Sequence, residues 1–322
     1  MKTKTYYTNL PDNKSKLYGG AYGVHARELI MHRDLMIKQF TTICASTQSR
    51  AEEIKLDFFD TYTDWMFKPF EFKNTDLLSE MCFTQGTTES FTQFYVRFRE
   101  NHRLRIAKGE YFYHQMMKSL WYKNNFAWLD EDEIKPGDVV LISLPFADTG
   151  GVYPGLDNIL DQCDKHGVPV MIDLAYLNLT TGDALEYNID FSRPCIEYVV
   201  SSLSKVFPVE TMRIGIRLQK KKFEDQLYVI NEENYNYINL LSAYVGTSMM
   251  QQFKPDYVFN KYRQSQIEIC EQLDLEVSPC FNFGIDHKNK YPQYSRGNAT
   301  NRLCFSRIWD GRAKVEGLID DS

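Results

Sequence analysis

The chain has 322 residues, 43% of them hydrophobic and 25% charged, with a net charge of −6. That balance leaves no electrostatic footprint for nucleic acid, and no apolar run is long enough to span a bilayer. The length suits one large domain and a smaller one, with core enough to need no staples. Seven cysteines, an odd number with no CxxC pair, lie in apolar contexts such as Met81-Cys82-Phe83. The N-terminus lacks the apolar centre of a signal peptide. Together these predict reduced thiols and a cytoplasmic protein, with the Asn-x-Thr sequons at Asn178 and Asn298 as chance matches. The six histidines show no metal-ligand spacing, so no metal site is expected.

Along the chain, residues 1–80 are polar and aromatic, and Ala26 to Phe40 is patterned as an amphipathic helix. Residues 81–218 alternate strand-like and helix-like segments. Met81 to Thr84 is the first strand, and Gln85-Gly86-Thr87-Thr88 leads from it into a helical stretch. Arg103 to Met117 reads as strand-like and carries Tyr111-Phe112-Tyr113-His114. The apolar run Val139 to Leu144 is a buried strand, followed by a turn at Asp148 to Gly151 and a helix from about Pro154 to His166. Gly167 stops that helix before the strand Val168 to Asp173. This βαβ pattern predicts an α/β fold with a mostly parallel central sheet and flanking helices. Residues 219–275 read as mostly helical, and the last fifty as strand pieces and turns. The expected organisation is an N-terminal segment over 1–80, a large domain over 81–245 and a smaller α+β domain over 246–322.

In such sheets, ligands collect beyond the carboxyl ends of the strands. Gly86-Thr87-Thr88 stands there, offering backbone N–H groups, hydroxyls and a helix dipole to an anion, or serving only as a helix cap. Asp173 ends the next buried strand, with Tyr176 three residues on. After the strand ending near Val200 come Ser202, Ser204 and Lys205, and Arg213 lies eight residues past the lysine. A lysine able to form a Schiff base, hydroxyls and an arginine for a phosphate, and a carboxylate for a ring nitrogen are what pyridoxal phosphate (PLP) needs.

At these residues the chain resembles the fold-type I PLP enzymes of the class I/II aminotransferase group. The match is close over residues 80–220 and loose elsewhere. The resemblance implies that Lys205 forms the Schiff base and transfers protons. It further implies that Gly86, Thr87, Thr88, Ser202, Ser204 and Arg213 hold the phosphate, while Asp173 and Tyr176 hold the ring nitrogen and oxygen. An aromatic ring over the cofactor falls to Tyr111 or Tyr113, which strand alternation would put on one face. Arg302, in Asn301-Arg302-Leu303-Cys304-Phe305, stands where an arginine takes the substrate carboxylate, with Arg296 as competitor. Tyr62 is the candidate to reach a partner subunit's phosphate, since the resemblance implies a homodimer. The chain departs from the family pattern at Pro145-Phe146-Ala147-Asp148-Thr149-Gly150, where Ala147 replaces an asparagine expected to bond the ring oxygen. Asp148 beside it would repel a phenolate unless protonated. The implied activity is amino-group transfer between an amino acid and a keto acid. Alternatives are a PLP-dependent lyase, decarboxylase or oxidase, or a non-catalytic protein of the same fold.

Overall fold

A strand that is apolar at every position, as Val139-Val140-Leu141-Ile142 is, must be covered on both faces, so it belongs inside a sheet with helices on either side. The computed structural model, which describes residues 18–43, 50–232 and 236–309, has that arrangement. Seven strands form the main sheet: β1 (Glu80–Gln85), β2 (Arg103–Ile106), β3 (Phe126–Trp128), β4 (Asp138–Ser143), β5 (Val170–Asp173), β6 (Ile196–Ser202) and β7 (Ile214–Gln219). Their order is β1-β7-β6-β5-β4-β2-β3. The run from β3 to β6 is parallel, while β7 pairs antiparallel with both β6 and β1. The mostly parallel sheet expected from the βαβ pattern is therefore present.

Alternation along the strands feeds two cores. Val140, Ile142, Val170, Ile172 and Val199 join the cluster that takes in Phe58, Tyr62 and Trp65 of the helix Ala51–Phe67. Val139, Leu141, Met171 and Val200 face the other way, onto Phe91, Phe94, Tyr95 and Phe98 of the helix Thr87–Phe98. A third cluster lies under a separate antiparallel sheet. There β8 (Glu276–Val277), β9 (Phe283–Asp286) and β10 (Asn301–Cys304) pack with Ile269, Cys270 and Leu273 of the helix Tyr257–Leu273.

Several expectations match the elements observed. The N-terminal amphipathic run forms a helix over Arg27–Ile43, and the one ended by Gly167 spans Leu156–His166. Gly167 adopts φ 63° and its N–H caps the carbonyls of Asp164 and Cys163, as a left-handed C-cap requires. One reading fails. Arg103 to Met117 is not a continuous strand: β2 ends at Ile106, and Phe112–Trp121 is a helix. Cys82, Cys163, Cys195, Cys270, Cys280 and Cys304 are buried free thiols, while Cys44 lies outside the described residues. Among the described residues, no group of His, Cys, Asp and Glu could hold a metal ion, and no helix is long and apolar enough to cross a membrane.

Candidate active site

Parallel strands put their carboxyl ends along one edge, and the antiparallel β7 brings its beginning to the same edge. Ser202 pairs with Gly215, and Gln85 with Ile214. Residues distant in sequence, at the ends of β1, β4, β5 and β6 and the start of β7, are thereby gathered into one pocket. It is lined by Thr87, Thr88, Asp173, Tyr176, Ser202, Ser204, Lys205 and Arg213. Tyr111, Ser143, Ala147 and Ala175 complete the wall.

The anion-binding end is built by a close approach. Arg213, itself in the left-handed region at φ 57°, lies across the glycine turn and donates from Nη2 to Thr88 Oγ1 at 2.9 Å. Gly86 sits at φ 71°, and a Cβ placed there would stand 2.5 Å from Arg213 Nη2. Glycine is thus required twice over, for its backbone angle and for the guanidinium beside it. Gly86 does not itself line the pocket; it makes room for the arginine that does. Ser202 Oγ lies 3.0 Å from both the Ile214 carbonyl and Ser204 Oγ, and it accepts from Ser204 N, which fixes the turn before Lys205.

The opposite end carries the acid. Asp173 is 5% exposed, and its carboxylate takes one hydrogen bond among the described residues, from Ala175 N at 2.9 Å. Burial pushes its carboxyl up to about 7, only partly opposed by the Ala175 N–H and the Lys205 charge. A buried carboxylate so poorly compensated is suited to a cationic partner such as a protonated ring nitrogen. Lys205 Nζ donates to the Ala21 carbonyl at 2.9 Å. Burial alone would raise Tyr176, yet the charges of Arg302, Lys205 and Arg296 outweigh it and hold the phenol below its usual value. The phosphate end, the acid and the lysine together fit PLP.

Arg302, 3% exposed, donates from Nη1 to the Ala147 carbonyl and, at 3.3 Å, to Tyr176 Oη. Its Nε is buried without a hydrogen-bond partner among the described residues, a donor left over beside two residues that line the pocket. Arg296 lines a separate cavity of about 630 Å³ together with Tyr22, Phe112 and Gln115. Burial first, then the like charge of Arg302, pulls Arg296 down to about 10.

Two of the sequence candidates fall elsewhere. Tyr113 lies just inside the start of a helix rather than extending a strand; its hydroxyl shares a hydrogen bond with Thr92 at 3.1 Å and it does not line the pocket, whereas Tyr111 does. Tyr62 is fully buried against its own sheet, bonded to Ser201 Oγ at 3.2 Å, and so cannot reach another subunit. Asp148 also turns away: it bonds Thr300 Oγ1 at 2.8 Å, and burial raises its carboxyl. The sequence reading missed Ser143 and Glu110. Ser143 ends a buried strand and answers to the same strand-end rule; Glu110 is a lone acid with no motif around it.

A family model, aminotransferase class I and II, matches residues 91–290. The chain belongs to that family. Its fold is the fold-type I architecture of PLP-dependent transferases, and solved structures agree. An aspartate aminotransferase variant of Thermus thermophilus is 14% identical, with a TM-score of 0.63 over 93% of this chain and 89% of that one. A PLP-bound C–S lyase from Staphylococcus hominis is 12% identical, with a TM-score of 0.63 over 96% and 90%. An aromatic aminotransferase from Pyrococcus horikoshii is 11% identical, with a TM-score of 0.58 over 99% and 98%. Comparison with the curated proteins finds no match.

Proposed function

We propose that the chain is a PLP-dependent aminotransferase that moves an amino group from an α-amino acid to a keto acid. The observation that carries this reading is the convergence of Lys205, Asp173, Tyr176, Arg213 and Thr88 on one pocket. PLP, when bound, supplies an aldehyde reactive toward amines and a ring that accepts electrons from the bond broken at the amino acid's α-carbon. The rest of the work falls to this chain's side chains. Arg213, Thr88 and Ser204, with the N–H groups at the start of the helix Thr87–Phe98, bind a phosphate dianion. Asp173 Oδ holds the proton on the ring nitrogen; the low-dielectric surroundings that make its lone charge costly make a paired charge strong.

Lys205 Nζ takes the α-proton and returns it, as a primary amine on a flexible stem lining the pocket can. Tyr176 Oη donates to the ring oxygen, and its lowered proton affinity keeps that bond adjustable. Arg302 presents its fork to the substrate carboxylate; Arg296 is the competing cation. The homodimeric, cytoplasmic setting common to the family belongs to the same proposal.

Ala147 favours a second reading, a lyase, decarboxylase or oxidase using the same residues, because a donor to the ring oxygen is missing there. Supplying amino acids with and without a keto acid acceptor decides between the two. Turnover that requires the acceptor supports transamination. Conversion that runs without it and releases ammonia or carbon dioxide would overturn that assignment.

A further inference from the structure

Glu110 is fully buried and takes part in no ion pair among the described residues, yet three neutral donors converge on it. Ser143 N reaches Oε1 at 2.8 Å, Ser143 Oγ lies at 2.9 and 2.8 Å from the two oxygens, and Tyr111 N reaches Oε2 at 3.1 Å. Burial raises the Glu110 carboxyl, with these donors and then the charge of nearby Arg296 opposing the shift. A buried carboxylate with no cation in direct contact is expensive, so its retention calls for an account.

The hydrogen bonds continue past Ser143. Its Oγ accepts from Ala147 N at 2.8 Å, and the Ala147 carbonyl accepts from Arg302 Nη1, which also reaches Tyr176 Oη. Glu110 therefore stands at the head of an unbroken line through two pocket residues, Ser143 and Ala147, to Arg302 behind them. A second arm, through the Tyr111 N–H, sets the residue from which the Tyr111 ring enters the pocket. Position 147 has no side chain to hold Arg302, so only its carbonyl can, and that carbonyl is held in place through the Ala147 N–H.

We propose that Glu110 is a positioning residue: through Ser143 and the Ala147 backbone it orients Arg302 for the substrate carboxylate, and through Tyr111 it shapes the cofactor wall. The proposal rests on the PLP reading above. Its physical content is that two carboxylate oxygens can accept from all three donors at once. A glutamine can accept on one atom only, and its amide N–H would face the Tyr111 N–H, leaving donors unpaired.

The test compares wild-type protein with E110Q, S143A and the double variant, by PLP binding followed in absorbance, by steady-state kinetics and by unfolding midpoint. E110Q should weaken PLP binding about tenfold and raise KM for the amino acid about tenfold, the worth of one buried charge-assisted hydrogen bond. S143A, which removes the hydroxyl that joins Glu110 to Ala147 N, should raise KM comparably. Because the two residues act in series toward Arg302, the double variant should raise KM no further than either single one. Additive effects on KM would overturn the proposal. So would an E110Q protein with a lowered unfolding midpoint but unaltered PLP affinity and KM, since that is the mark of a purely structural acid. If the wild-type protein takes up no PLP, the cofactor reading has failed and this one with it. If wild type binds PLP and E110Q binds it equally well, only this one has failed.

Discussion

Replacing Asp173 by asparagine in protein stripped of cofactor should stabilise it, in a pH-dependent way. The carboxyl goes from an ordinary value of 3.8 to about 7 on folding, with burial as the dominant cause. A carboxyl raised by folding binds its proton more tightly in the native state. The associated stability is complete below the unfolded value and is lost as the pH climbs through about 7. The shift of roughly three units corresponds to about 4 kcal/mol once the pH is well above 7, and about 2 kcal/mol at pH 5. Asparagine keeps the acceptor for Ala175 N and carries no charge to desolvate.

The assay is urea unfolding of both proteins from pH 5 to pH 8. The variant should be the more stable throughout, and its advantage should grow by about 2 kcal/mol across that range. A gap that stays flat with pH would refute the reasoning, because it would mean Asp173 is not the buried, poorly compensated acid described. Adding PLP should then reverse the ranking: wild type gains a cation against its carboxylate, and the variant gains none.

Other consequences are direct. Lys205→Ala should still bind PLP weakly, but borohydride should fix no cofactor on the chain and turnover should vanish; covalent labelling elsewhere would move the nucleophile. Arg302→Ala should raise KM for carboxylate substrates about a hundredfold while leaving cofactor absorbance near wild type; unaltered kinetics would hand the carboxylate to Arg296. Gly86→Ala brings a Cβ to 2.5 Å of Arg213 Nη2 at a left-handed backbone position, so PLP affinity, read by absorbance titration, should drop at least tenfold. If it binds PLP normally, Arg213 is not part of the phosphate cup.

Most of the inner pocket was legible in the sequence because its residues sit at strand ends. In a parallel sheet, position along the chain converts to position in space by a simple rule, and β7 obeys a mirrored version of it. Gly86-Thr87-Thr88, Asp173, Tyr176, Ser202, Ser204, Lys205 and Arg213 could be picked out because each borders the end of an apolar run. Tyr111 and Tyr113 show where this stops. A short aromatic run carries no period long enough to tell strand from helix, so packing decides between them. Tyr62 fails for a related reason: a tyrosine in an amphipathic helix is apolar enough for the core, and only packing decides whether its hydroxyl meets Ser201 or solvent.

The sequence by itself determined the sheet, its mostly parallel pairing and the set of strand-end residues proposed to hold the cofactor, since these arise from apolar periodicity and from chemistry held in local motifs. The tertiary structure alone decided what holds Arg302 at Ala147. Glu110, Ser143, the Ala147 backbone and Arg302 are scattered over nearly two hundred residues and joined by hydrogen bonds that no local pattern encodes. Their grouping depends on how the segment after β4 meets β10, which is a property of packing rather than of composition or spacing.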